Sequence, residues 1–379
     1  MELSSPNPFI QYRDRLDSYA AARSAGWSDQ DFVDLVESLD SAIAEVDGAG
    51  FRVTPTTNEQ ALATALAMRA DRLWIKDDTG NVAGSHKARH LFGVVLHHAV
   101  ASVQGELAIA SCGNAALAAA VLAKAAERPI EVFIPTWADP VVAGKLERLD
   151  ARITVCERRP GEDGDPTYLR FAEAVRRGSV PFSCQSTMTP TTLDGGRTIG
   201  WELADQLRDG GVGRTVRLFV QIGGGALASA AWMGLQSGGR FDAVLHPVQT
   251  EACAPLARAW DLLAGSGGDV TARLALAADQ PERFMWPWED VGTSAASGIL
   301  DDLTYDWLTV IGPTLTSGGW PVTVTEDTIL EAHRLARSHT TIRVDPTGSA
   351  GLAGVVNERA RGTLAADADT VALFTGIER

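Results

Sequence analysis

The sequence predicts an α/β protein of open, mostly parallel sheets with flanking helices, preceded by a helical extension. Strand-like and helix-like segments alternate along much of the chain, which is typical of parallel sheets whose strands are joined by helices. The 379 residues are 45% hydrophobic, which suits two domains of roughly 100–200 residues each. Short turns rich in glycine or small polar residues follow several strands, and ligands bind at such strand ends.

The composition argues against several classes of protein. The net charge of -15 disfavours binding to nucleic acid or to anionic membranes, which require basic patches. The N-terminus has no basic region followed by an apolar stretch, and no apolar run reaches the ~18 residues that span a membrane. We therefore expect a cytoplasmic protein. The cysteines are too widely spaced for a zinc site or a disulfide framework: Cys112, Cys156, Cys184 and Cys253.

The first elements are helical. Residues 9–50 predict helices, because caps at 28–31 precede apolar residues at helical spacing, and Gly48 and Gly50 end the pattern. A helix is expected at 61–70 and a strand at 72–76. After a polar turn, another helix is expected from about Ser85.

Strands and helices then alternate regularly. We expect strands at 107–110, 130–134, 152–156, 180–183, 216–222, 243–248 and 370–374. We expect helices at 115–126, 140–149, 168–177, 198–207, 226–236, 325–338 and 349–360. Residues 264–320 are irregular and rich in glycine, serine and tryptophan, and we expect them to form loops over a site.

Lys87 is the first candidate for chemistry. It lies in the first turn of an expected helix, after a strand and a turn containing Gly80 and Gly84. The positive end of the helix dipole and partial burial both disfavour the ammonium, so we expect the pKa of Lys87 to fall. A lysine with a lowered pKa can form a Schiff base with an aldehyde cofactor.

The glycine run Gly223–Gly225 is a candidate anion site. Three glycines at a strand-to-helix turn let backbone N–H groups close on a phosphate, aided by the dipole of the next helix. The same stretch, extended to Ala228, fits the Gly-x-Gly-x-x-Ala pattern of dinucleotide-binding proteins, with Asp242 or Glu251 as a ribose-binding acid. A close-packed turn without a ligand is the third interpretation.

Two more strand ends carry candidate groups. Ser111-Cys-Gly-Asn114 has N–H groups for a carboxylate and an amide for a phenolate-like oxygen, although Ser111 or Asn114 can instead cap the helix. Thr375 ends the last strand, where its hydroxyl can bond a ring nitrogen or simply belong to a turn.

The histidines predict no metal site. No acidic residue lies near them in the sequence, and we interpret them as residues that pack or support a site: His86, His90, His97 and His98. The carboxylates of Pro287-Trp-Glu-Asp290 are expected to be solvated. Neither glycine turn has the Gly-Lys-Ser/Thr ending of a Walker phosphate loop, and no Gly-x-Ser-x-Gly elbow is present.

Taken together, these turns resemble the pyridoxal-phosphate enzymes of fold type II, the tryptophan synthase β-subunit-like group. Residues 84–89 look like the lysine motif of that group, 111–114 like its substrate loop and 223–227 like its phosphate loop. Within the group, the chain is most similar to threonine synthase and threonine dehydratase. The stretches that carry this similarity include 50–55, 194–202, 345–353 and Thr375-Gly376.

The resemblance implies two open, mostly parallel twisted sheets and the cofactor pyridoxal 5'-phosphate. It implies that Lys87 holds the cofactor as a Schiff base and, once released, acts as the general base at Cα. It implies four further binding roles. The cofactor ring is expected to contact Asn114, and the ring nitrogen to contact Thr375. The cofactor phosphate is expected to bind to Gly223, Gly224, Gly225, Ala226 and Leu227, and the substrate carboxylate to Ser111, Cys112, Gly113 and Ala115.

The resemblance also implies a domain organisation. Residues 1–50 are expected to form a helical N-terminal extension. Residues 51–92 and 196–379 are expected to form a large cofactor-binding domain, and residues 93–195 a smaller α/β domain with the substrate loop. A homodimer acting on a small amino acid is expected.

One segment departs from the threonine synthase pattern. Those enzymes usually carry Asn-Pro-x-Arg, whose arginine helps to bind a substrate phosphate, whereas this chain has Thr189-Pro-Thr-Thr192. A phosphorylated substrate is therefore in doubt, unless Arg197 compensates.

Three functions remain open. Because a neutral Thr375 leaves the ring nitrogen largely unprotonated, we favour a lyase that eliminates a β-substituent from a serine- or threonine-like amino acid. The second hypothesis is a threonine-synthase-type or other replacement enzyme. The third is a dinucleotide-binding protein that uses Gly223–Ala228.

Overall fold

The computed structural model describes residues 5–162 and 164–379. The strands are β1 (Thr56–Asn58), β2 (Leu73–Asp77), β3 (Leu107–Ala110), β4 (Ile130–Pro135), β5 (Arg152–Cys156), β6 (Val180–Pro181), β7 (Thr215–Gln221), β8 (Asp242–Thr250), β9 (Val322–Val324) and β10 (Thr370–Phe374). The α-helices are α1 (Pro8–Gln11), α2 (Asp17–Ser24), α3 (Asp29–Asp47), α4 (Gln60–Ala65), α5 (Lys87–Val100), α6 (Asn114–Ala125), α7 (Pro140–Arg148), α8 (Pro166–Arg176), α9 (Thr192–Asp209), α10 (Ala226–Gln236), α11 (Pro255–Ala264), α12 (Val270–Asp279), α13 (Trp307–Ser317), α14 (Glu326–His339) and α15 (Ala350–Arg361).

The chain divides into two compact units. The smaller unit contains residues 5–53 and 81–198, and the larger unit contains residues 54–80 and 199–379. Each unit has its own sheet. The α/β fold class and the mostly parallel sheets are confirmed.

The smaller unit contains a parallel sheet in the order β5-β4-β3-β6. Apolar residues of β3, β4, β5 and α8 form the core on one of its faces. The N-terminal helices join this unit through Phe9, Phe51 and Phe92, whose ring centroids lie 4.6 to 5.1 Å apart. As predicted, helix α3 starts with caps at 28–31, a capping box of Ser28 and Asp31, and ends at Gly48.

Asp194 ties the N-terminal helices to the rest of the smaller unit. Its carboxylate accepts the N–H groups of Asp17 and Ser18, each at 2.9 Å, where α2 begins. The same carboxylate contacts His97 Nε2 at 3.0 Å and Arg197 Nη2 at 2.6 Å. Burial alone raises the pKa of Asp194, but these hydrogen bonds and the charge of Arg197 lower it below its usual range, so Asp194 stays ionised.

The larger unit is built on a sheet in the order β1-β2-β10-β7-β8-β9. β1 is antiparallel to β2 and the other pairs are parallel. Successive residues of β10 point to opposite faces: Val371 and Leu373 pack with α10, α11 and α13, while Ala372 and Phe374 pack with α4, α14 and α15. Both faces of the sheet are therefore covered, which explains why β10 is wholly buried.

A buried ion pair lies beneath the end of β2. Lys76 Nζ is 2.5 Å from Glu202 Oε2 and 2.6 Å from the Thr54 carbonyl, and both charged side chains are 0% exposed. Thr54 also donates its N–H and its hydroxyl to Glu202, each at 3.1 Å. Buried charges of this kind are tolerated only when each is paired and hydrogen-bonded.

Within the described residues, none of the helices is both long enough and apolar enough to pass through a membrane.

The units differ from the predicted domains in two places. The N-terminal helices belong to the smaller unit instead of forming a separate extension, because their aromatic side chains pack against α5. Residues 81–92, which include Lys87, also belong to the smaller unit, where α5 packs against α2 and α6.

Several predicted elements need correction. The expectation of loops throughout 264–320 was wrong for α12 and α13. Helix α9 begins at Thr192, earlier than the predicted Thr198. The helix predicted to reach residue 70 ends at Ala65, because Ala67 adopts a left-handed conformation with φ of 52°. The short strands β1 and β9 were not predicted.

Candidate active site

The glycine turn of the larger unit connects β7 to α10. Gly225 has φ of 104° and is the N-cap of α10, and no described side chain caps this helix. A Cβ on Gly223 would lie 2.7 Å from Asp301 Oδ2 and 3.3 Å from Ile299 Cα, so a larger residue would force the Asp301 side chain to shift. The Gly224 carbonyl accepts the Asp306 N–H at 2.8 Å and fixes the turn. The start of α10 therefore has the backbone geometry that the predicted anion site requires, and the site itself stays a prediction.

Thr375 lies at the same edge of the larger sheet. It follows β10, which is paired in parallel with β7, so both strands end on the side of the glycine turn. Its side chain is buried, and Thr375 Oγ1 accepts a hydrogen bond from Gln221 Nε2 at 2.6 Å. The structure thus brings together two of the predicted groups, Thr375 and the Gly223–Leu227 turn.

Lys87 is the first residue of α5 in the smaller unit. The turn before it is left-handed at Ala83, with φ of 54°, and at Gly84, with φ of 65°. The Ala83 N–H donates to Asp47 Oδ2 at 2.8 Å. The turn therefore holds an alanine in a conformation that costs an L-residue roughly 1–2 kcal/mol, as is common at functional sites.

The predicted substrate loop lies at the end of β3 in the same unit. Residues Ser111 to Ala115 are all half-buried, and Gly113 N–H donates to Ser111 Oγ at 3.4 Å. Gly113 is the N-cap of α6, so the alternative that Ser111 or Asn114 caps this helix was wrong. The first turn of α6 is thus a second helix N-terminus at a strand end, suited to a carboxylate.

The histidines support the fold of the smaller unit. His90 Nδ1 contacts the Thr192 carbonyl at 3.0 Å, and His86 packs edge-on against His90. No acidic residue is close to the histidines in the sequence, but the fold brings His97 into contact with Asp194 across a sequence separation that no local pattern reveals. Burial, with the charge of Arg128, lowers the pKa of His98 to about 4.

The segment without the expected arginine is buried at its two ends, Thr189 and Thr192, and exposed at Pro190. Thr192 is 0% exposed and begins α9. Arg197 is held by Asp17 and Asp194, with both contacts at 2.6 Å. Because two carboxylates already neutralise this guanidinium, Arg197 is poorly placed to replace the missing arginine as a phosphate ligand.

Sequence reasoning missed Gln221, which contacts Thr375. Gln221 is the last residue of the apolar strand β7. The only signal in the sequence is that a polar residue stands among buried neighbours shortly before Gly223.

Comparisons with known proteins identify a family for this chain. A family model described as pyridoxal-phosphate dependent enzyme matches residues 49–376. An L-serine dehydratase of Saccharomyces cerevisiae is 28% identical over 173 residues, which cover 43% of this chain and 51% of that protein. The chain thus spans about half the length of that curated relative.

Solved structures share the fold. The processed form of threonine deaminase isoform 2 from Solanum lycopersicum has a TM-score of 0.67 and 16% identity, covering 93% of this chain and 86% of that one. A fungal L-serine ammonia-lyase from Rhizomucor miehei has a TM-score of 0.65 and 18% identity, covering 86% of this chain and 94% of that one.

The residues present fit pyridoxal phosphate. A Cβ at Gly223 would crowd Asp301 and Ile299, and the turn at Gly223–Gly225 offers the N–H groups that a phosphate requires. Thr375 offers a buried hydroxyl at the same sheet edge, and Lys87 offers an amine at the start of a helix.

Proposed function

Because the chain belongs to the pyridoxal-phosphate dependent enzymes, we propose that it is a lyase that eliminates the β-hydroxyl, or a similar β-substituent, from a serine- or threonine-like amino acid. The observation that carries this proposal is the neutral, buried Thr375 hydroxyl beside the glycine turn. A carboxylate at that position would keep the ring nitrogen protonated, whereas a hydroxyl leaves it neutral, which suits elimination better than transamination. The similarity to an L-serine dehydratase supports the same reaction.

Lys87 is the lysine that we propose to hold the cofactor. Of the four lysines, Lys76 is fully buried against Glu202 and Lys124 pairs with Asp150 at 2.8 Å. Lys87 is half-buried at the first position of α5, after the strained turn.

The other site residues bind and orient. Pyridoxal phosphate, when bound, withdraws electrons from Cα of the amino acid. We propose that the N–H groups from Gly223 to Leu227 hold the phosphate, that Asn114 contacts the ring, and that Thr375 donates to the ring nitrogen. The N–H groups of Ser111, Cys112, Gly113 and Ala115 hold the substrate carboxylate.

Lys87 also moves the proton in this proposal. With the amino acid bound, the Lys87 amine would remove the Cα proton and pass it to the β-hydroxyl, which would leave as water. The final products would be a 2-keto acid and ammonia, because hydrolysis of the C–N bond takes up one water.

The substrate side chain is proposed to be uncharged. Thr192 replaces the arginine that would bind a phosphate, and Arg197 is already paired with Asp17 and Asp194. These features support a hydroxyl-bearing substrate over a phosphorylated one and make the threonine-synthase-type reaction the weaker candidate.

The test combines the spectrum of the protein with its products. We expect the wild-type protein with pyridoxal phosphate to show a near-visible imine band that borohydride removes, and to release ammonia and keto acid from serine or threonine. Lys87→Ala should lose both the band and the products, whereas the control Lys124→Ala should keep both. A colourless wild-type protein would refute the cofactor site. An imine band without ammonia from any β-hydroxy amino acid would refute the lyase alone.

We also propose a cytoplasmic homodimer. The four cysteines are free thiols, which suits a reducing compartment. The proposal of a homodimer rests on the resemblance to fold type II enzymes, and analytical ultracentrifugation would test it. Twice the monomer mass of 40.2 kDa would support the homodimer, and the monomer mass itself would refute it.

A further inference from the structure

Gln221 makes an unusual set of contacts for a residue inside a buried strand. It is the last residue of β7 and is 4% exposed. Its Nε2 lies 2.6 Å from Thr375 Oγ1 and 2.9 Å from the Gly348 carbonyl. Its Oε1 is buried and has no hydrogen-bond partner among the described residues.

The orientation of the Gln221 amide follows from these contacts. A backbone carbonyl only accepts hydrogen bonds, so the group that faces Gly348 must be the NH₂ and not the oxygen. Rotating the amide would set two carbonyl oxygens against each other. Thr375 Oγ1 therefore accepts a hydrogen from Gln221.

The donor role of Thr375 follows in turn. A hydroxyl has one hydrogen and two lone pairs. With Gln221 bound to a lone pair, the hydroxyl hydrogen of Thr375 points away from Gln221. The same arrangement leaves Gln221 Oε1 without a partner among the described residues. An unpaired buried oxygen is destabilising, so a side chain keeps such an orientation only when its other contacts require it. Gly351 makes room for the amide, because a Cβ there would lie 2.9 Å from Oε1.

We propose that Gln221 is a positioning residue that makes Thr375 a hydrogen-bond donor to the pyridine nitrogen and so keeps that nitrogen unprotonated. The proposal rests on the proposed role of Thr375 in holding the cofactor. Gln221 itself touches Thr375 and Gly348, and acts on the cofactor only through the hydroxyl.

Two variants of Gln221 have opposite expected effects. Gln221→Glu replaces the NH₂ with an acceptor, so Thr375 donates to the carboxylate, and the added negative charge favours a protonated ring nitrogen. Gln221→Met removes the NH₂ without adding charge and leaves the Gly348 carbonyl to accept the Thr375 hydrogen. The ring nitrogen then loses its donor and stays unprotonated.

The measurement is the ¹⁵N resonance of the ring nitrogen, in protein reconstituted with ¹⁵N-labelled pyridoxal phosphate. We expect an upfield shift towards a protonated pyridine in Gln221→Glu and a downfield shift towards a pyridine without a hydrogen bond in Gln221→Met. Gln249→Glu is the matched control, because Gln249 is a buried glutamine in β8 that accepts N–H groups from α11. It should leave the resonance unchanged.

The outcomes separate this inference from the proposed function. An intact imine band with an unchanged ring resonance in both Gln221 variants would overturn the role of Gln221 and leave the function standing. Shifts of the same sign in both variants would indicate a merely structural role and also overturn it. If Gln221→Glu fails to fold by circular dichroism, Gln221→Met decides alone, and an unchanged resonance there refutes the proposal. A wild-type protein with no imine band would instead refute the proposed function.

Discussion

The carboxyl ends of the two sheets are built differently. In the larger unit, Gln221 and Thr375 are buried, joined to each other by a side-chain hydrogen bond and surrounded by packed elements. In the smaller unit, the loop from Ser111 to Ala115 is half-buried throughout, and the bond from Gly113 to Ser111 within it is long, at 3.4 Å. The proposed partner of the ring nitrogen in the larger unit is thus a buried side chain held by another buried side chain, whereas the proposed substrate groups are largely half-buried backbone.

This difference affects how each site binds its ligand. The larger unit is suited to tight binding of a cofactor that does not vary, and the smaller unit is suited to substrates that do. Buried side chains that are hydrogen-bonded to each other resist movement, so a ligand bound there needs little reorganisation. Half-buried backbone groups in a loop move at little cost. We therefore expect mutations at Gln221, at Thr375 and in the core of the larger sheet to act mainly on stability and cofactor binding, and mutations at Ser111, Cys112 and Gly113 to act mainly on substrate binding.

The strongest test removes the buried ion pair under the larger sheet. Glu202→Ala leaves the fully buried Lys76 charge without its carboxylate and is expected to lower the free energy of unfolding by about 3–5 kcal/mol. Urea unfolding of the holoenzyme measures this. The double variant Lys76→Met/Glu202→Leu should recover most of the loss, and Arg214→Ala, which breaks an exposed pair with Asp242, should have little effect. A Glu202→Ala protein as stable as the wild type would contradict the idea of a rigidly held larger sheet.

The second test uses pH. Burial, followed by the charge of Arg217, lowers the pKa of His246 to about 4, whereas an unfolded histidine titrates near ~6.5. Between these values the unfolded chain takes up a proton and the folded chain does not. The stability contributed by neutral His246 is therefore present above pH ~6.5 and is lost as the pH falls towards 4, by up to about 3 kcal/mol.

His246→Gln should flatten this part of the curve of unfolding free energy against pH. His98→Gln, in the smaller unit, should flatten it by a comparable amount, because burial lowers the pKa of His98 to about 4 as well. A curve that keeps its full slope in either variant would contradict the role given to that histidine.

A smaller effect is expected in the substrate loop. Ser111→Ala removes the hydroxyl that accepts the Gly113 N–H and should raise KM by about 2- to 10-fold with a lesser change in kcat. Steady-state kinetics with serine and threonine measure this. Ser179→Ala, just before β6 in the same unit, is the control. A fall in kcat with KM unchanged would mean that the loop acts on the reaction and not on binding.

The smallest effect concerns the turn before Lys87. Ala83→Gly relieves the left-handed alanine and should stabilise the protein by roughly 0.5–1 kcal/mol, while lowering kcat because Lys87 is less firmly placed. Ala67→Gly, at φ of 52° in the larger unit, should give a similar stabilisation with kcat unchanged. Equal kcat values in the two variants would show that the strain at Ala83 does not serve Lys87.

Local patterns predicted much of the fold. Helix α10 and the strands β3, β5 and β10 have the predicted bounds, because apolar runs between glycine-rich turns are unambiguous. Helix α9 was partly missed because it contains glycines, which disfavour helices. Those glycines serve packing: a Cβ on Gly195 would overlap the Arg89 carbonyl, and one on Gly200 would overlap the Ala231 carbonyl.

The candidate site was predictable only where its parts are local. The turns at Lys87, Ser111 and Gly223 are continuous in sequence, so their glycine and strand patterns revealed them. The bond between Gln221 and Thr375 joins residues 154 positions apart, and the contact between His97 and Asp194 joins residues 97 positions apart. Such contacts depend on strand order and helix packing, which no local pattern specifies.

The place of β10 in the larger sheet has a consequence for biosynthesis. β10 lies between β2 and β7, and Arg72, just before β2, pairs with Asp369 at a sequence separation of 297. A ribosome adds roughly 5–20 residues per second, so β2 emerges on the order of 15–60 s before its parallel neighbour exists. Throughout that interval the apolar residues Leu73 and Ile75 lack their final cover, and an unpaired apolar strand invites aggregation. Yield in cells should therefore depend on chaperones that bind the nascent chain, even for variants whose finished structure is fully stable.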